Sequence, residues 1–214
     1  MPVRQQLGVS PDDAVNVESD ELDRQDMRRL VSGQEAALDD LMNRHGRRLF
    51  NYLTRHLGNE AEAKDCVQEA FVRVYVHRAK FQPSASFLTW LYTIAMNCAR
   101  NMKRARRHEI CLDDESAQSD LVNSAPDSAA NASEQLQLRE QTEEIRRAVL
   151  ALPEELRAPL VLFEFESLSQ SEIAQILGCT RKAVEVRIYR ARQILRKALT
   201  AQQPTAVQGH GFPN

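Results

Sequence analysis

What this 214-residue chain lacks narrows its possibilities before any motif is read. Its four cysteines, Cys66, Cys98, Cys111 and Cys179, form no C-x-x-C pair and follow no signal peptide. A disulfide framework and a zinc ribbon are therefore not expected. Cys66, Cys98 and Cys179 read as small core or staple residues, and nothing beside Cys111 marks it as a redox sensor. No apolar run approaches the roughly 20 residues that cross a bilayer, so a soluble, cytoplasmic protein is expected. The five histidines, His45, His56, His77, His108 and His210, never stand at helical ligand spacing with a matching acid, and no nucleophile has a base beside it. Neither metal, organic cofactor nor catalysis is expected from such a pattern. Strand-type alternation and internal repeats are missing as well.

Excess charge of one sign is also missing: 28 Lys and Arg oppose 30 Asp and Glu, which argues against a general nucleic-acid coat protein. The distribution carries the information. Arg100, Lys103, Arg104, Arg106 and Arg107 form one basic cluster and the C-terminal stretch another, while Glu109, Asp113, Asp114, Glu115, Asp120 and Asp127 gather between them. Two basic surfaces divided by an acidic connector are expected.

The second surface is spelled by LSQSEIAQILGCTRKAVEVRIYRARQILRK, Leu168 to Lys197. Ser169 with Glu172 three residues on is a capping box, which starts a helix by satisfying two orphan backbone donors. Gly178 suits the left-handed position that ends it, and Thr180 caps a second helix, with Cys179 and Val184 placed as a staple. Val184, Ile188, Ala191 and Leu195 make a buried stripe. Outside it lie Arg181, Lys182, Glu185, Tyr189, Arg190 and Arg192, with Arg187 on the same basic helix. Such a helix fits a major groove: cations meet phosphates and guanine edges, and a carboxylate such as Glu185 accepts from the cytosine amino group.

The remaining segments read as two small all-α domains. Residues 1–22, with Pro2, Gly8 and Pro11, lack periodicity and are expected to be a flexible leader. Residues 23–107 form four helices, broken at Ser32-Gly33, Gly58-Asn59 and Phe81 to Ser84. Residues 108–133 are a flexible acidic linker, 134–200 a second helical domain carrying the helix-turn-helix, and 201–214 a disordered tail.

In the first domain, the helix opened by Asn59 and Glu62 buries Cys66, Ala70 and Val74 and exposes Asp65, Gln68, Glu69 and Arg73. In the next, Phe87, Leu91, Ile94 and Cys98 line one side, opposite Thr89, Thr93, Asn97, Arg100, Lys103 and Arg107. The loop ahead of it carries Phe81, Gln82, Ser84 and Ser86 and no carboxylate. Aromatic, amide and cation together suit single strands, whose bases offer a π-face and free edges. Phe87 reads as core, Trp90 as either core or base contact, and Asn97 as a base contact.

DCVQEAFVRVY at Asp65 to Tyr75, SFLTWLYTIAMNCARN at Ser86 to Asn101 and the C-terminal helix pair resemble bacterial RNA polymerase sigma factors of the extracytoplasmic-function type. The resemblance covers about Asp23 to Leu199, with the family's region 2 at 23–107 and region 4 at 134–200. It implies that Asp65, Gln68 and Glu69 meet the clamp helices of core RNA polymerase. It implies further that Phe81 to Ser86 and Asn97 capture a flipped base near the start site, flanked by Trp90, Arg100, Lys103, Arg104 and Arg107, and that Arg181 to Arg192 read the upstream duplex element. An alternative sigma factor serving a stress or envelope response follows, with an anti-sigma protein as a partner. Glu185 and Gln82-Pro83-Ser84 depart from the family's usual residues, so promoter preference does not carry over. The alternative is a helix-turn-helix regulator acting without polymerase; a lone helix pair ordinarily needs a dimer, and no heptad seam supplies one, so a monomer is expected when free.

Overall fold

The computed structural model describes residues 11–110 and 132–201. Among them are eight α-helices, one short 3-10 turn and no strand: α1 Pro11–Val31, α2 Ala36–Leu57, α3 Glu60–His77, the turn Arg78–Lys80, α4 Phe87–Ile110, α5 Ala132–Leu150, α6 Glu154–Glu164, α7 Gln170–Leu177 and α8 Arg181–Ala201. The architecture is all-α, as the sequence implies. Of the linker expected over 108–133, residues 108–110 continue α4 and 132–133 open α5, and of the tail expected over 201–214, residue 201 ends α8; residues 111–131 and 202–214 lie outside the described residues.

Helix boundaries follow from local chemistry. Gly58 ends α2 with φ of 79°, its N–H reaching Thr54 O, and the Asn59 side chain then accepts from Glu62 N to start α3. Both halves of the capping box at α7 form: Glu172 N donates to Ser169 Oγ at 3.2 Å and Ser169 N to Glu172 Oε2 at 2.8 Å. Gly178 takes φ of 64° between α7 and α8, and Ala183 N donates to Thr180 Oγ1.

Two expectations are corrected. The leader is helical from Pro11, and α1 runs without a break into the packed part of the domain. Proline at the first helical position gives up only an N–H that would have no partner, and further along Asp23, Met27 and Leu30 bury against α2. The polar side of α4 is not uniformly open: Thr89 is buried and Thr93 partly so.

The physical reason lies between the regions. α7 packs on α4, and α5 and α6 pack on α2, so one buried apolar cluster runs from Met27 through Leu53, Phe87 and Met96 to Leu162, Ile173 and Ile188. Burying each such side chain contributes about 1.5–3 kcal/mol. The two helical units are therefore in direct contact.

Candidate nucleic-acid interface

On α8, Val184, Ile188 and Ala191 are buried against α6 and α7, while Arg181, Lys182, Glu185, Tyr189, Arg190 and Arg192 are exposed. Tyr189 is 64% exposed and stands beside Phe163, Glu185, Val186 and Arg192 around a shallow hollow of about 350 Å³. The cations differ in freedom. Arg192 pairs with Glu164 at 2.7 Å and lies over the Phe163 ring, so it ties α8 to α6. Lys182 pairs with Glu185 at 3.0 Å, both solvent-exposed. Arg187 is half-buried and faces a cleft shared with Met96, Arg100, Glu154 and Leu177, away from the open face. Arg181 and Arg190 take no partner among the described residues.

Around the loop before α4, Phe81 and Trp90 are half-buried with ring centroids 5.3 Å apart, and Phe87 is fully buried behind them. Gln82 and Ser84 are exposed. Ser86 has structural duties: its hydroxyl donates to Asp20 Oδ1 at 3.2 Å and lies 3.5 Å from Thr89 N at the start of α4. Behind this loop, His45 Nε2 sits 2.8 Å from Asp23 Oδ1 and its ring 5.4 Å from Phe87. Asn97 is exposed and accepts from Arg100 Nη1 at 3.4 Å. Arg104 is exposed, Lys103 is engaged by Glu154 at 2.8 Å, and the Arg107 side chain lies outside the described residues.

On α3, Asp65, Gln68 and Glu69 are exposed, Glu69 holding Arg73 at 2.7 Å. Gln68 forms the edge of an open groove of about 900 Å³ between α2 and α3, lined by Leu38, Met42, Phe71, Val72 and Tyr75, with Glu35 and Asp39 at its acidic rim. Met42 is 40% exposed and Val72 55%. Sequence reading missed this groove, although the exposed Val72, off the Cys66–Ala70–Val74 stripe, carried its signal.

A helix exposing Arg181, Lys182 and Arg190 on one helical unit, and an aromatic loop continuous with Asn97 and Arg100 on the other, give the chain two surfaces whose chemistry suits nucleic acid, beside an apolar, acid-rimmed groove. Comparisons narrow that class. The family description Sigma-70 region 2 matches residues 41–109, and Sigma-70, region 4 matches 142–195. The RNA polymerase sigma-H factor of Pseudomonas aeruginosa is 34% identical over 84% of this chain and 94% of its own length. The extracytoplasmic-function sigma factor SigW of Bacillus subtilis is 31% identical over 81% and 94%. Among solved structures, CnrH in complex with the cytosolic domain of CnrY matches with a TM-score of 0.63 at 27% identity, covering 85% of this chain and 99% of that one. The chain belongs to the extracytoplasmic-function sigma factors of RNA polymerase. No helix among the described residues is long and apolar enough to span a membrane.

Proposed function

We propose that this chain acts as a promoter-specificity subunit without catalytic activity of its own, divided into the regions 23–107 and 134–200, and that its three surfaces divide the work. The α2–α3 groove with Asp65, Gln68 and Glu69 captures core polymerase, since an apolar floor with an acidic rim suits a helix bearing apolar and basic side chains. Arg181, Lys182, Glu185, Tyr189 and Arg190 read the upstream duplex. Phe81, Gln82, Ser84, Trp90, Asn97, Arg100, Lys103 and Arg104 hold the melted strand downstream. Ser86 and Arg192 support these surfaces from behind, Arg187 faces the cleft shared with Arg100 and Glu154 rather than the open face of α8, and Arg107 is proposed to join the downstream surface. A protein regulator is part of the reading, because CnrH was solved with the cytosolic domain of CnrY.

The observation that carries the proposal is the pairing, on one chain, of a capped helix pair whose second helix exposes unpaired arginines with a second surface built from aromatics, an exposed amide and cations. Run-off transcription with purified core polymerase on genomic fragments tests it. Discrete new start sites that need both components are expected, and Asp65→Arg is expected to weaken capture of core at unchanged helicity. Failure of the folded chain to form any complex with core polymerase would overturn the reading.

A further inference from the structure

Asp23 and Asp26 on α1 are carboxylates only 1% and 6% exposed, and neither belongs to the three surfaces. Burying an ionised carboxylate is costly unless donors meet it, and here the donors come from α1 itself and from α2. The Arg44 guanidinium reaches both, pairing with Asp23 and donating to Asp26 Oδ2 at 2.8 Å, while Arg29 donates to Asp26 Oδ1 at 2.7 Å. The other partner of Asp23 is the buried His45, whose Nε2 lies 2.8 and 2.9 Å from the two carboxylate oxygens. An ionised carboxylate only accepts, so Nε2 is the donor and the ring is fixed in orientation.

These contacts lead to the downstream loop. The His45 ring lies 5.4 Å from that of Phe87, the fully buried first residue of α4. Phe87 in turn meets Phe81 edge-on at 6.1 Å and Trp90 at 6.2 Å. One turn before Asp23, and so on the same face of α1, Asp20 accepts the Ser86 hydroxyl at 3.2 Å and Arg24 Nη2 at 3.2 Å, its side chain 30% exposed. The loop is thus held at both ends and open at its tip. Phe81 N closes on Arg78 O and Ala85 N on Gln82 O, while Gln82 and Ser84 stay exposed.

We propose that α1 positions the strand-capture loop from beneath: Asp20 acts through Ser86, and Asp23 through His45 and Phe87, to hold Phe81, Gln82 and Trp90 in the arrangement that receives an extruded base. The inference rests on the proposed role of that loop in holding the melted strand. Asp20 and Asp23 are positioning residues, turned to donors within the protein rather than to the nucleic acid. What they supply is preorganisation. A base leaving its stack has already lost pairing and stacking, and a loop that had to be ordered on contact would forfeit part of the binding free energy to its own lost freedom. Asp20 stands within the stretch 1–22, which carries no apolar periodicity, so the start of the domain takes part in capturing DNA without touching it.

The full chain with core polymerase is assayed on a promoter fragment that gives a discrete start with the wild-type protein, and on copies in which each nontemplate nucleotide of the downstream element is in turn abasic. Opening is read from the fluorescence of 2-aminopurine placed in the melted stretch. Asp20→Ala, a change at a partly exposed side chain, is expected to lower opening of the intact fragment about tenfold, the worth of a hydrogen bond to a charged group, at unchanged helicity, core capture and upstream-element binding. Asp20→Asn, whose amide oxygen still accepts from Ser86, is expected to restore most of that loss. In a Ser86→Ala background Asp20→Ala is expected to cost nothing further, because the bond is already gone. On the fragment that lacks the captured base, wild type and Asp20→Ala are expected to open alike, a convergence that lost stability alone does not produce. Full opening by Asp20→Ala, an equal deficit on every abasic fragment, or additive losses in the double variant would overturn the inference. A wild-type chain that yields no discrete start overturns the sigma-factor reading and this inference with it, so the two failures are told apart before any variant is made.

Discussion

Two glycines show how much one residue's surroundings decide. Gly58 and Gly178 both adopt positive φ after a helix, 79° and 64°, a conformation that costs an ordinary L-residue about 1–2 kcal/mol. A Cβ at Gly178 meets nothing within 4 Å, whereas at Gly58 it falls 3.0 Å from Leu150 Cδ2. Gly178→Ala is therefore expected to lose about 1 kcal/mol of stability, and Gly58→Ala more, because Leu150 must also move. Thermal unfolding of the two variants checks the order; equal losses would show that α5 does not press on the end of α2. Both glycines were legible as helix stops because the signal is local. What made Gly58 special, a leucine 92 positions away, has no trace in nearby sequence.

At the scale of the element, α8 carries its arginines in three states. Arg190 is exposed, Arg192 is held by Glu164 and Phe163, and Arg187 faces the cleft toward region 2. Arg190→Ala is expected to weaken upstream-element binding by the polymerase complex about tenfold, within the 1–3 kcal/mol typical of a good base-edge contact, with little change in melting temperature. Arg192→Ala is expected to lower melting temperature first and binding less. Band-shift titration with thermal unfolding separates the two, and the reverse order would place Arg192 in the groove and Arg190 outside it. The capping box and buried stripe of this helix pair could be read from residues three and four apart. The engagement of Arg192 could not, since Glu164 lies 28 positions earlier and surface cations look alike in sequence. The same holds for α1 over residues 11–22: its short stretch of acids and small residues offers no apolar stripe, and the continuation into Asp23, Met27 and Leu30 supplies the packing.

For the whole molecule, acidity acts on the contact between regions through His56. The ring is 0% exposed, stacks near Tyr52 and has no hydrogen-bond partner at either nitrogen. Glu154 and Arg157 face it from α6 and Lys103 from α4. Glu154 Oε1 stands 3.6 Å from Nε2, an electrostatic contact rather than a hydrogen bond. Burial lowers the His56 pKa, outweighing the pull of Glu154, and Lys103 and Arg157 add to the lowering. Glu154 is itself held down at about 2, by His56 and then by Lys103, so it stays ionised throughout the range where histidine titrates. The sign follows from linkage. With the His56 pKa lowered where the regions meet, the chain with its regions apart binds more protons, and the contact strengthens as pH rises toward and through the ordinary histidine range. The contact between the regions is therefore expected to weaken as pH falls through and below the ordinary histidine range, while the Glu154–Lys103 pair stays charged. Small-angle scattering of the free chain from pH 8 to pH 5 is expected to show expansion on the acid side, and His56→Gln, which cannot take up the proton, is expected to flatten that dependence. Expansion on the alkaline side instead would mean that His56 is protonated when the regions meet, with Glu154 as its partner.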